Sequence, residues 1–180
     1  MRSDVTTLVT HGPVHLDFGA CGKGYLVDLL GGLLGSFPEF VIDAGGDLLA
    51  HTSNPIRVAL EDPDDSSRAV GVAEIRDGAF CASAPSRRHW EVAVDERTHL
   101  AIHHLLNAVD GLPAQQMEAT RIAVRSTSVA DYPTAVADGL ATALFVADPN
   151  ELRSVFVFDC ATLDADRHAT ISAGFPGRFF

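Results

Sequence analysis

Hydrophobic and polar positions change period several times along the chain, and the changes mark out its elements. From Gly22 to Leu34 apolar residues fall at Leu26, Leu29, Leu30, Leu33 and Leu34, a helical stripe. Gly31, Gly32 and Gly35 weaken its last turns, and Pro38 ends it. Phe40-Val41-Ile42 reads as a short buried strand, Asp43-Ala44-Gly45-Gly46-Asp47 as a turn, and Leu48-Leu49-Ala50 as the returning strand. Ile56 to Glu61 alternates as a strand and stops at the Asp62-Pro63-Asp64-Asp65 loop. Val70 to Ile75 and Ala79 to Ser83 predict a hairpin turned at Asp77-Gly78.

Pro85 to His89 reads as a basic loop, Trp90 to Val94 as a strand, and Asp95-Glu96-Arg97 as a turn. His99 to Leu106 is apolar along most of its length and closely bounded by turns, which favours a strand over a helical turn. Gly111 to Thr120 is polar and loop-like, and Arg121 to Arg125 is a further strand. Pro133 to Ala147 predicts a second helix, with proline near its start and Val136, Leu140, Ala143 and Leu144 on one side. Asp148-Pro149-Asn150 stops it; Val155 to Phe158 is a strand, and the chain frays from Ile171 onward. Short strands and hairpins with two principal helices predict an α+β fold on a mixed or antiparallel sheet, not an alternating βαβ sheet.

Composition narrows the chemistry. A chain of 180 residues, 47% hydrophobic, suits one domain with a real core. A net charge of −11 argues against nucleic acid as a partner. It also makes an anionic ligand costly unless a metal ion or local basic groups offset the field. Three cysteines without a C-x-x-C pair give neither a disulfide framework nor a zinc ribbon. No apolar run reaches transmembrane length, and Met1-Arg2-Ser3-Asp4 opens no signal-peptide core. The expectation is a cytoplasmic protein, or a periplasmic one if an export segment is missing.

The densest chemistry lies at Leu16-Asp17-Phe18-Gly19-Ala20-Cys21-Gly22-Lys23-Gly24-Tyr25, where an extended run meets the first helix. Glycines let the backbone approach a ligand closely. A first helical turn offers unpaired N–H groups and a positive dipole end, and Lys23 adds a full charge, so the turn suits the pyrophosphate of a nucleotide. The spacing is neither a Walker A loop nor G-x-G-x-x-G, and a plain strand-to-helix turn with an exposed lysine reads the same way. Asp138 and Thr142 stand one helical turn apart among small residues. They are hard oxygen donors fit for Mg2+, or an ordinary polar face with Thr142 bonded back to its own helix. The double glycine at Gly45-Gly46 serves a tight turn, and would also let the chain pass under a flat ring or ribose. His103 and His104 point to opposite faces if extended, and Leu100 stands where an H-E-x-x-H zinc motif needs glutamate. Either histidine is structural or handles a proton. Ser83, Arg87 and Arg88 form a solvated basic stretch or a phosphate contact.

Taken in order, these pieces resemble the ApbE family of FAD:protein FMN transferases. Leu16-Asp17-x-Gly19 and Gly22-Lys23-Gly24-Tyr25-x-x-Asp28 are similar to its LD-x-G and KGY-x-x-D signature. Asp43-Ala44-Gly45-Gly46-Asp47 looks like its N-x-GGD turn, and Val58 to Pro63 its V-x-I-x-D/E-P strand end. Gly78-Ala79-Phe80-Cys81-Ala82-Ser83, His104-Leu105-Leu106-Asn107 and Ala137-Asp138-Gly139-Leu140-Ala141-Thr142 follow in the family's order, the last matching A-D-A-L-A-T closely.

The resemblance implies that FAD and Mg2+ bind, and that FMN passes to a threonine or serine hydroxyl of an acceptor protein with release of AMP. It implies Asp138, Thr142 and the backbone carbonyl of Gly22 as metal ligands. It implies Gly19, Gly22, Lys23, Gly24, Tyr25, Gly45, Gly46, Asp47 and Ser83 around FAD, with His104 and Lys23 assisting the transfer. The chain departs from the pattern at Asn107-Ala108-Val109-Asp110-Gly111, where the family has D-P-R-T-G, and at Ala84, where glycine is usual. Only residues 1–15 precede the motif, a lead-in to a single domain over 16–180 that lacks the family's N-terminal portion. A flavin-binding protein without catalysis and a Mg2+-dependent FAD hydrolase giving FMN and AMP are the alternatives. Self-association that covers the missing side stays open.

Overall fold

At the start of the chain, β1 (Arg2–Ser3) pairs antiparallel with β2 (Leu8–Val9), and α1 (Gly22–Leu34) follows. The computed structural model describes residues 2–3, 7–95, 97–126 and 131–180. Glu96 of the expected 95–97 turn, and Met1 and Asp4 of the N-terminal stretch, lie outside the described residues. The main sheet is built from β3 (Phe40–Asp43), β4 (Asp47–Glu61), β5 (Ala69–Ser83), β8 (Met117–Arg125), β9 (Asp159–Asp164), β10 (Ala169–Ile171) and β11 (Gly177–Phe179). Its order is β10-β9-β8-β5-β4-β3, with β11 added to β5, and every pairing is antiparallel. A separate hairpin, β6 (His89–Ala93) with β7 (His99–His103), stands out from it with β6 exposed throughout. α2 (Pro133–Ala143) and the short α3 (Pro149–Arg153) complete an α+β fold.

The expected hairpin at Asp77-Gly78 does not form. β5 runs straight through it, pairing Asp47–His51 along its second half and Ile56–Glu61 along its first. Gly78 has φ +135°, and the backbone of Val124 and Arg125 fills the space a Cβ would need. The glycine thus bends a continuous strand between two partners. β4 shifts register between His51 and Ile56 beside the bend. The long ribbon therefore folds back on itself. Its far end at Glu61 meets β8, where Arg121 Nη2 donates to Glu61 O at 2.6 Å, and Arg87 Nη2 lies 2.7 Å from Glu61 Oε2.

The fold makes two apolar layers. Leu48, Ala50, Leu60, Ala73, Ile75, Phe80 and Phe175 fill the inside of the folded ribbon. On the other face, Ala79, Cys81, Ile122 and Val124 meet Ala137, Leu140 and Ala141 of α2 and Leu144 just past its end. α1 joins this second layer through Gly24, Val27 and Gly31, spaced to share one face. The expected leucine stripe is turned away: Leu26, Leu29, Leu30 and Leu33 are 41–78% exposed. Close approach explains the choice, because a Cβ on Gly24 would collide with the Thr134 backbone and one on Gly31 would reach 2.5 Å from Leu49.

Three further expectations change. Val155 to Phe158 is not a strand, and β9 begins at Asp159. The tail is not frayed, because β10 and β11 both pair into the sheet. The second helix stops at Ala143 and not at Ala147, and Asp148 instead caps α3, its Oδ1 accepting the Asn150 N–H at 2.6 Å. No described helix is long and apolar enough to cross a membrane.

Candidate functional site

Helix α2 begins without a side-chain cap of its own. Asp28 of α1 supplies it across the helix pair, accepting the Thr134 and Ala135 N–H groups at 3.0 and 2.8 Å. A carboxylate answers both the free donors and the dipole of a helix start. In return Asp138 of α2 accepts the Gly24 N–H at 3.1 Å. Residues far apart in sequence are thereby fixed side by side: the glycine-lysine bend lies against the Asp138–Thr142 turn.

The Asp43–Asp47 turn closes the third side. Asp43 Oδ1 accepts the Gly45 N–H at 2.9 Å, and Gly45 and Gly46 take φ of +69° and +108°. Those left-handed conformations are why glycine stands there. The turn places Asp47 beside α1, with Lys23 Nζ 3.0 Å from Asp47 Oδ2 while it donates to Gly45 O at 3.2 Å. Asp47 is 1% exposed, and its Oδ2 faces the Lys23 ammonium without a well-aligned hydrogen bond.

A cavity of about 590 Å3 opens here. Gly19, Lys23, Gly45, Gly46, Asp47, Ser83, His104, Asp138 and Thr142 all line it. Gly22, Gly24 and Tyr25 do not. The Gly22 N–H donates to Phe18 O at 2.6 Å, Gly24 is packed on Thr134, and Tyr25 meets Tyr132 in a tilted ring contact with centroids 5.0 Å apart. Their place is in the seam behind the wall.

Charge in this corner is poorly solvated. Burial, and next the neighbouring Asp47 carboxylate, push the Asp138 carboxyl up to about 6. Burial and the same two carboxylates raise the Cys81 thiol well above its ordinary value, which leaves it a neutral wall group. The donors are carboxylate, hydroxyl and backbone oxygens, the set that suits a hard cation such as Mg2+. Among the described residues, no three or more His, Cys, Asp or Glu side chains group to hold a metal ion. A cation here would rely on Thr142, backbone oxygens and water beside the acids.

The adjacent histidines differ in tautomer. His104 Nδ1 lies 3.2 Å from Arg88 O, a pure acceptor, so Nδ1 carries the proton and Nε2 is the free base. His103 Nδ1 accepts the Leu105 N–H at 3.2 Å, and burial lowers its pKa.

The ApbE family model matches residues 2–171. The chain belongs to the ApbE family. Among curated relatives it is 27% identical to the FAD:protein FMN transferase of Treponema pallidum, over 96% of this chain and 50% of that protein. It is also 27% identical to the FAD:protein FMN transferase of Vibrio cholerae, over 74% of this chain and 39% of that one. The chain thus spans half or less of the length of these relatives. The solved ApbE protein of Thermotoga maritima superposes with a TM-score of 0.70 at 22% identity, covering 88% of this chain and 51% of that one. The apo flavinyl transferase ApbE of Pseudomonas stutzeri gives 0.62 at 23%, covering 88% and 49%. These two share its fold.

Sequence reasoning missed Arg121, read only as the start of a strand. It is 3% exposed, lines the same cavity, and burial lowers its pKa to about 10. Its signal was a lone arginine in an otherwise apolar run, Arg121-Ile122-Ala123-Val124.

Proposed function

We propose that this chain carries the transfer site of a Mg2+-dependent FAD:protein FMN transferase, which moves FMN from FAD to a serine or threonine hydroxyl of an acceptor protein and releases AMP. One observation carries the reading: Lys23, Asp47, Asp138 and Thr142, brought from three separate segments, face a single cavity. The names of the relatives support the flavin and the reaction class.

In this reading Asp138 and Thr142 would hold Mg2+ from the cavity wall, with the Gly22 carbonyl as a third ligand only if it turns out of the seam, and Asp47, already paired with Lys23, adds a further carboxylate at the same corner. Bound Mg2+ supplies charge neutralisation at the pyrophosphate. Lys23, tethered to Gly45 and Asp47, sets a fixed positive charge where negative charge grows as AMP departs. Gly45 and Gly46 let the turn lie close to the ligand, and Ser83 offers a hydroxyl from the adjoining end of β5. His104, its Nδ1 anchored on Arg88 O, takes the acceptor hydroxyl proton at Nε2.

Incubation with FAD, Mg2+ and candidate acceptor peptides tests this. The expected products are AMP and a peptide heavier by one FMN. FAD that binds without AMP release over hours overturns catalysis, and AMP without a labelled peptide makes the protein an FAD hydrolase.

A further inference from the structure

Arg121 carries a charge that Glu61 and Asp62 act on from a distance but that no carboxylate of the described residues contacts. Its Nη2 donates to Glu61 O, a neutral carbonyl, at 2.6 Å. Its Nη1, shielded from water, has no hydrogen-bond partner among the described residues. The acids nearby are engaged elsewhere: Glu61 with Arg87 at 2.7 Å, Asp62 and Asp64 with Arg167 at 3.0 and 2.9 Å. Arg121 itself forms no ion pair among the described residues. The Phe179 ring, 5.8 Å from its Cζ, compensates weakly.

A guanidinium this deeply buried is costly without an anion beside it. Tying the folded ribbon to β8 needs only Nη2, so that strut does not account for Nη1. The side chain also lies on the opposite sheet face from Asp47. Asp47 pairs with Cys81 and Cys81 with Ile122, whereas Arg121 is one residue earlier, and successive side chains alternate. Arg121 therefore belongs to a different part of the cavity from the Lys23–Asp138 corner.

We propose that Arg121 is the binding group of a second, oxyanion subsite in this cavity, which takes a carboxylate or phosphate group through Nη1. A single protonated fork at the cavity wall matches the geometry of either anion. In the flavin-transfer reading the anion is an acidic side chain flanking the acceptor hydroxyl or a phosphate of the nucleotide. The subsite does not depend on that reading, because it is tested without metal, FAD or turnover.

The test is thermal denaturation of the full chain in EDTA, titrated with AMP or with acetyl-glutamate amide. Adenosine and acetyl-glutamine amide are the uncharged controls. At least one anion should raise the melting temperature while its control does not. AMP alone assigns the subsite to phosphate, and the glutamate compound alone assigns it to an acidic peptide. Arg121→Met should abolish the rise with no loss of basal stability, whereas Lys23→Ala should keep it. Should Arg121→Met not fold, Arg121→Lys serves instead and should weaken the anion roughly tenfold or more, since a compact ammonium lacks the planar fork that holds one donor on Glu61 O and presents another to the anion. The proposal is overturned if neither anion stabilises the wild type. It is equally overturned if Arg121→Met melts lower yet keeps the anion response, or if Arg121→Lys binds as tightly as wild type.

Discussion

The Lys23–Asp47–Asp138 corner and the Glu61–Arg87–Arg121 corner open into one cavity and handle charge in opposite ways. In the first, two buried carboxylates crowd one lysine, and the surplus is negative. In the second, Arg87 meets Glu61 and Arg167 meets both Asp62 and Asp64, yet none of these acids contacts the buried Arg121 guanidinium, so the charge left unpaired under cover is positive. Neither surplus serves the folding of the empty protein. Uncompensated charge under cover is tolerated where a ligand of the opposite sign completes it. The first corner thus calls for a cation and the second for an anion, on opposite faces of one sheet.

The largest effect should come from removing the acid that both helices share. Asp138→Ala should bring AMP release from FAD below detection at any Mg2+ concentration, measured by chromatography of the products. It removes a proposed ligand and the acceptor of the Gly24 N–H together. Retained AMP release would end the assignment of a cation to this corner. His104→Gln comes next. It should lower transfer by roughly 10²–10⁴-fold, the span of general-base catalysis, with FAD affinity unchanged. A loss of FAD binding instead would make His104 part of the pocket wall alone.

A subtler variant separates function from stability. Asp138→Asn keeps an oxygen for Gly24 and removes the crowded charge. The metal-free variant at pH 7.5 should be more stable than wild type by on the order of 2 kcal/mol, from denaturant midpoints. The pH dependence fixes the cause. The Asp138 carboxyl is held at about 6 against an ordinary 3.8, so between those values the folded state keeps a proton the unfolded state has lost. Its stabilising contribution is complete below about 4 and is lost as pH rises through about 6. The wild-type deficit relative to Asp138→Asn should therefore open across that window and close when Mg2+ is added. A pH-independent difference would trace the effect to packing.

Much of this site was legible before any coordinates. The two helices announce themselves through periodicity, and the glycine-lysine bend, the Asp43–Asp47 turn and the Asp138–Thr142 pair are local patterns whose residue types suit their roles. What failed was non-local. Asp77-Gly78 has the chemistry of a hairpin turn, yet the strands on its two sides find partners elsewhere, and only the partners decide. The α1 leucines promise a buried stripe, but the glycines on another face permit a closer approach to α2 and win. Arg121 shows only as an arginine at the head of an apolar run, and its surroundings are hidden for the same reason. Nothing in its neighbours in sequence says that Glu61, sixty residues earlier, folds back to cover it.

The seam between the helices is the next place to press on the first corner. Gly24→Ala gains helix propensity of about 1 kcal/mol but drives a methyl into the Thr134 backbone, where nothing flexible can yield. The net result should be a loss of about 1–3 kcal/mol in chemical denaturation, with the Mg2+ response weakened as Asp138 is pushed off its donor. The contact is backbone against backbone, so no rotamer change relieves it. A neutral or stabilising outcome would mean that α1 and α2 separate easily.

The smallest effect should come from the Arg87–Glu61 pair in the second corner, and it sharpens the comparison by what it leaves alone. Arg87 and Glu61 are 64% and 36% exposed at the side chain. A pair this open to water contributes under about 1 kcal/mol. Arg87→Ala should change stability within that limit, measured by urea denaturation. It also frees the Glu61 carboxylate, which lies close enough to Arg121 to act on its charge. The freed acid can then turn toward the buried guanidinium and compete with any added anion. The variant should therefore bind the anion more weakly than wild type, by less than Arg121→Met does, although the side chain it removes is itself cationic. If Arg87→Ala abolished the anion response as fully as Arg121→Met, the surface pair rather than the buried fork would be the positive element of the second corner.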